Sequence, residues 1–215
     1  QSGGEVLGNL VAQATQDNIA LVSSSDNGTD PLRDAGVAGQ FNTIWADNGT
    51  NLDQINNTGN RNLVFSNMVY NSLKGNASTI GMDLGGYDYH GATRASQTQD
   101  DFDAGVKIGQ VLESANAMQK AVFLIVTSDG SVGSAESDTP GAANFTSDRG
   151  QGGMYLFAYD PLGRPSSTNA AGTPDFQIGH FNPGANEQGA DGSFLTGGNP
   201  ELAVIAAFAN YCAFA

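Results

Sequence analysis

The sequence predicts an α/β protein: a mostly parallel central sheet with helices on both faces and long Gly/Asn-rich loops. Three observations carry this. Apolar runs of strand length alternate with segments of helical spacing along the chain, the order that builds parallel sheets. Residues 121–126 are uniformly apolar, as expected of a strand covered on both faces. Residues 79–129 read as strand, polar loop, long helix and strand, and a crossover helix is what joins parallel neighbours.

In chain order, Val6, Leu7, Leu10, Val11 and Ala14 give helical spacing over residues 5–16. Residues 18–23 form a short apolar strand ended by Ser24-Ser25-Asp26-Asn27-Gly28. Residues 26–60 are rich in Asn, Gly, Asp and Thr and read as long loops with one weak strand near 41–45. Leu63, Phe65, Val69 and Leu73 predict a helix over 62–73, stopped by Gly75. A strand over 78–84 follows.

The helix at 97–119 has the clearest signal, because Ala104, Ile108, Val111, Ala115 and Met118 recur at steps of 4, 3, 4 and 3. Ser96 is placed to cap it, and Asp100, Asp101 and Asp103 crowd its first turns, where the dipole favours negative charge. Gly105 and Gly109 each weaken it by about 1 kcal/mol relative to Ala and are expected to allow close approach to the sheet. After the strand at 121–126 comes a polar excursion over 128–151. Strands are expected at 154–159 and 176–178, with loops at 161–173 and 182–198. Asn199 and Pro200 then open a last helix as N-cap and first helical residue. Residues 1–215 read as a single domain, complete or the C-terminal part of a longer chain.

Composition narrows the function. Net charge is −14 with only 8 Lys and Arg, which leaves no electrostatic footprint for nucleic acid or an anionic membrane. No apolar run reaches the roughly 20 residues of a membrane span. The one cysteine, Cys212, can form no internal disulfide and is expected as a buried thiol in the last helix. Sequons begin at Asn27, Asn48, Asn56, Asn76 and Asn144, several of them expected by chance in so Asn-rich a chain. The chain begins with Gln1, which reads as a processed or truncated start.

Two histidines, His90 and His180, limit the chemistry. There is no G-x-S-x-G elbow, Walker loop or strand-following G-x-G-x-x-G. Asp88-Tyr89-His90 offers a hard oxygen and a borderline nitrogen, the mixture found in zinc, manganese and iron sites. The ordinary alternative is a tight Gly85-Gly86 turn capped by Asp88. Asp129, in Thr127-Ser128-Asp129-Gly130, is either a ligand or a turn former. Arg149, in Asp148-Arg149-Gly150-Gln151-Gly152-Gly153, either holds an anion with glycine N–H groups or makes an ordinary ion pair. His180 reads as a loop histidine, and Asp30, Asp47 and Asp53 as solvated. On a parallel sheet, Asp88, His90 and Asp129 would converge beyond the carboxyl ends of two strands.

The segment order 79–160 resembles the C-terminal part of an exported bacterial family of unknown function in the alkaline phosphatase and sulfatase superfamily. Its members show G-G-W-D-T-H, then T-x-S-E-F-G-R, then T-D-H-G-x-G-G. The counterparts are Gly85-Gly86-Tyr87-Asp88-Tyr89-His90, Val126-Thr127-Ser128-Asp129-Gly130 and Ser147-Asp148-Arg149-Gly150-Gln151-Gly152-Gly153. Residues 199–214 are also similar to family C-termini. The resemblance implies an alkaline phosphatase-like fold and a periplasmic or extracellular location. It implies Asp88 and His90 as ligands of one divalent ion (zinc, manganese or calcium), with Asp129 and Asp148 near a second. The implied substrate is a small-molecule or polymer ester of phosphate or sulfate. Arg149 stands where the family has histidine, and Asp129-Gly130-Ser131-Val132 replaces its E-F-G-R. The nucleophile half of such a site lies upstream of the matched part. A non-catalytic extracellular, surface or filament-forming protein that self-assembles is the competing expectation.

Overall fold

The computed structural model of the chain describes residues 28–87, 93–127, 131–134, 145–149, 154–163 and 200–214. They belong to two compact units: Gln1–Met82 with Gln110–Lys120, and Asp83–Gly109 with Ala121–Ala215.

In the first unit, Asp30 starts a 3-10 turn at Pro31–Arg33 by accepting from the Leu32 N–H at 3.0 Å. Helix α1 follows at Ala38–Ile44. This corrects the strand expected near 41–45. Val37, Phe41 and Trp45 lie four residues apart and are all buried, so the apolar period there is helical. The strand preference of Phe, Ile and Trp gives way to burial on one helical face. Fully burying each such side chain contributes about 1.5–3 kcal/mol.

Helix α2, Arg61–Lys74, matches the predicted helix and its stop. The Asn60 side chain caps it, accepting from Asn62 N–H at 2.9 Å and Leu63 N–H at 3.3 Å. Gly75, at φ +87°, ends it in the left-handed region where glycine costs least. Phe65, Val69 and Tyr70 form its buried apolar face, and the Tyr70 ring meets Phe41 edge-on at 5.7 Å.

Helix α3, Arg94–Met118, is the long helix that the 3–4 spacing predicts. Its cap differs from expectation: Thr93 Oγ1 accepts from the Ser96 N–H, and Ser96 Oγ donates back to the Thr93 carbonyl. The helix therefore starts earlier, and its first turn carries no acidic residue. Asp100, Asp101 and Asp103 lie beyond the reach of its dipole, which fades within one turn. In the first unit Gln110, Val111, Ser114 and Ala115 are buried. There Trp45 Nε1 donates to Ser114 Oγ at 2.9 Å, and Gln110 Nε2 donates to the Ile44 carbonyl at 2.8 Å. A large aromatic group and two buried polar side chains are thereby satisfied together.

The second unit overturns the predicted sheet. Strand β1, Val122–Thr127, pairs antiparallel with β4, Met154–Tyr159, from Val122↔Tyr159 to Thr127↔Met154. Strand β2, Ser131–Ser134, pairs antiparallel with β3, Phe145–Arg149. Both sheets have two strands, so the expected mostly parallel, alkaline phosphatase-like sheet is not the architecture among the described residues. Residues 80–87 join no strand. Ile80, Met82 and Leu84 are half-buried while Gly81, Asp83 and Gly85 are exposed, so the strand alternation exists without a ladder. Glycine and Asp are poor strand formers, and three glycines fall within six residues there. An apolar run marks β1 as a strand but does not choose its partner. The antiparallel pairing of β2 with β3 lies within what reads from sequence as a polar excursion.

Helix α4, Pro200–Phe214, begins at the predicted proline. The Phe123 ring of β1 lies 5.7 Å from that of Tyr211 and 5.8 Å from that of Phe214. Cys212 is exposed, against the expectation of burial. Among the described residues no helix is long and apolar enough to cross a membrane. The predicted elements at 5–16, 18–23 and 176–178 lie outside the described residues.

Candidate functional site

The returning arm of the antiparallel hairpin places two of the five predicted site residues. Asp148 and Arg149 end β3, and Arg149 stands opposite Ser131 of β2. Asp129 lies in sequence between Thr127 and Ser131, whose partners are Met154 and Arg149. Three residues, 128–130, and four residues, 150–153, separate the two ladders on their respective arms. Asp88, His90 and Asp129 themselves lie outside the described residues, as does His180. Their expected convergence at one edge of a parallel sheet loses its basis with the parallel pair.

The β2–β3 ladder is irregular at the motif. Between the pairs Ser131↔Arg149 and Gly133↔Thr146, β2 advances two residues and β3 three. The extra residue falls at Ser147–Asp148. Bulges of this kind recur beside active sites. Upstream, Gly86 at φ +101° supplies backbone suited to glycine just before Tyr87-Asp88. The donor set of carboxylates with one imidazole suits zinc or manganese, and carboxylates alone suit calcium. Among the described residues no three His, Cys, Asp or Glu side chains gather as a metal cluster.

A different polar cluster is visible in full. Tyr70 hydroxyl donates to Asp34 Oδ2 at 2.7 Å, and Lys74 Nζ donates to the same hydroxyl at 2.5 Å. Lys74 also lies 3.4 Å from Asp34 Oδ2. The Tyr70 hydroxyl, with the Gly36 N–H next, holds the Asp34 carboxyl below its ordinary range. Burial raises Tyr70 above its usual value, and the hydrogen bond to Tyr70 raises Lys74. A tyrosine kept protonated is a hydrogen-bond donor rather than a base, so this cluster ties the 3-10 turn region to α2. Sequence reasoning missed it. The i, i+4 spacing of Tyr70 and Lys74 was a visible signal, but Asp34, 36 residues from Tyr70, had none.

Two acids read as solvated also have structural work. Asp30 caps the 3-10 turn and pairs with Arg33 at 3.4 Å. Asp47 Oδ2 accepts from Asn60 Nδ2 at 2.8 Å and so steadies the cap of α2. An open groove of about 680 Å³ beside α1 is lined by Gly39, Thr43, Ile44, Glu113 and Asn116 and holds none of the predicted site residues.

The chain matches no family model, no curated protein and no solved structure.

Proposed function

We propose that the chain is an exported, periplasmic or extracellular, metal-dependent hydrolase-like protein acting on phosphate or sulfate esters. The reading rests on the motif residues and does not use the parallel sheet. One observation supports it: in the register of β2 with β3, Arg149 stands opposite Ser131, which follows Asp129 by two residues in sequence. In this reading Asp88 and His90 hold one divalent ion, and Asp129 and Asp148 hold a second. Such ions, when bound, polarise the ester oxygen and lower the pKa of water. Arg149 binds the anionic ester through its planar fork of N–H donors and orients it.

The test is metal analysis of protein purified without chelator, paired with cleavage of p-nitrophenyl phosphate and p-nitrophenyl sulfate. The expected result is at least one equivalent of zinc, manganese or calcium, lost in Asp88→Ala, with cleavage that stops in chelator and returns with metal. Metal-free protein whose melting temperature is unchanged in chelator would overturn the reading.

A second reading, a non-catalytic extracellular structural, surface or filament-forming protein, has its own observation. Val204, Ile205 and Phe208 of α4 are each 60% exposed or more. Exposed apolar groups of this kind favour association. Oligomers or fibres that form equally well with and without chelator, from protein holding no metal, would select it.

A further inference from the structure

Residues 47–50, between α1 and α2, form a turn with chemistry of its own. The Asp47 N–H donates to the Thr50 carbonyl at 2.9 Å, and the Thr50 N–H donates to the Asp47 carbonyl at 2.8 Å. Between them Asn48 and Gly49 have φ +47° and +80°, the signs of a type I′ turn, for which Asn-Gly is a favoured pair. The bridge between Asp47 and Thr50 is isolated from any strand. Opening the turn therefore breaks two hydrogen bonds and no ladder.

An asparagine followed by glycine is the pair most prone to lose its side-chain amide, because glycine has no side chain to shield its backbone nitrogen. The Gly49 nitrogen gives its proton to water and bonds to Asn48 Cγ. The Cγ–Nδ2 bond breaks, and the departing amide takes up a proton and leaves as ammonia. Water then opens the five-membered succinimide. Attack at Cγ leaves aspartate. Attack at the Asn48 backbone carbonyl carbon leaves isoaspartate, with the main chain rerouted through Cβ and Cγ. The structure keeps this path open. Asn48 and Gly49 are exposed, and a Cβ built at Gly49 would meet no heavy atom within 4 Å. Among the described residues no acceptor takes the Gly49 N–H. Asn76 shows the contrast. The Ala77 N–H that follows it donates to the Asn71 carbonyl at 3.2 Å, and Asn76 Nδ2 is held by the Gly28 carbonyl and Asn71 Oδ1.

Asp47 links this turn to α2. Its Oδ1 accepts from Asn48 Nδ2 at 3.3 Å and its Oδ2 from Asn60 Nδ2 at 2.8 Å, while Asn60 Oδ1 caps the helix. Deamidation replaces the donor beside Asp47 with a second carboxylate, and like charges at that range repel. Isoaspartate also lengthens the main chain inside the turn and mismatches the Asp47–Thr50 pair. We infer that Asn48 is a modification site whose spontaneous deamidation acts as a slow, one-way timer, loosening the cap of α2 through Asp47. Every residue in this chain of contacts lies in the first unit, and the inference stands independently of whether the protein binds metal.

Mass spectrometry of the tryptic fragment 34–61, taken from aged samples of the full chain, tests the chemistry. The expected result is conversion of amide to acid at Asn48, as two products of different retention, severalfold faster than at any other asparagine of the fragment. Asn48→Gln should abolish it. Thermal unfolding tests the coupling. Asn48→Asp should melt a few degrees below the parent, and at least half of that difference should vanish in an Asn60→Ala background. Aged protein unchanged at Asn48, an Asn48→Asp variant that melts with the parent, or an equal loss with and without Asn60 would each overturn the timer.

Discussion

At the residue scale, the described structure turns on a few side-chain contacts whose removal has a calculable cost. Tyr70→Phe keeps the buried ring and removes the hydroxyl that bridges Asp34 and Lys74. Both partners remain partly solvated, so the expected loss at neutral pH is about 1 kcal/mol, read from urea denaturation. The pH dependence has a fixed sign. Asp34 is depressed in the folded state, so its contribution is present above its unfolded value, near 3.8, and is lost as pH falls below that. Tyr70 and Lys74 are raised, so their contributions are present below their unfolded values of 10.0 and 10.5 and are lost as pH rises past them. Tyr70→Phe should therefore differ most from the parent between about pH 4 and 10 and converge with it at both extremes. A constant difference across the whole range would show that the hydroxyl acts without its charged partners.

Trp45 is the single tryptophan, so its emission reports on one contact. Ser114→Ala leaves the buried indole N–H without its acceptor. The expected cost is about 1–3 kcal/mol, accompanied by a change in the emission maximum. An unchanged spectrum and unchanged stability would show that the indole finds another acceptor.

At the element scale, helices were more legible than strand partners, and the physics explains why. A helix satisfies its own hydrogen bonds, so α2 and α3 announce themselves through spacing, cap and stop. Gly75 was readable as a stop because only its left-handed backbone was at issue. Gly75→Ala should cost about 1 kcal/mol at φ +87°, and Asn60→Ala about the same by removing the α2 cap, both measured by thermal unfolding. Helix α1 was misread because Phe41, Ile44 and Trp45 favour strands in isolation, and the deciding contacts with Tyr70 and Ser114 come from 29 and 69 residues away. A strand borrows its hydrogen bonds from elsewhere in the chain. The runs at 121–126 and 154–159 were legible as strands, but their antiparallel pairing was not. The bulge at Ser147–Asp148 has no sequence signal of the usual kind, since no glycine occupies it. Of the proposed site, residue types and motif order came from sequence, and the pairing of Arg149 with Ser131 came from the register.

At the scale of the whole molecule, a charge of −14 acts against the exposed apolar groups of α4. Like-charge repulsion between copies is screened over roughly 8–10 Å at ordinary ionic strength. Self-association should therefore rise between low salt and half-molar sodium chloride, and Phe208→Ser should reduce it, as read by sedimentation velocity. Association that falls with added salt would point to ionic rather than apolar contacts. The two-unit division also bears on function, because every proposed ligand belongs to the unit built around the hairpin.

The account depends most on the antiparallel pairing of β1 with β4 and of β2 with β3, which sets Arg149 opposite Ser131. Disulfide trapping in a Cys212→Ser background tests this most directly. The account predicts rapid oxidation of Val126→Cys with Tyr155→Cys, residues paired across β1 and β4, and none of Val126→Cys with Leu84→Cys. Oxidation of the Leu84 pair with no reaction of the Tyr155 pair would restore a parallel arrangement and contradict the account.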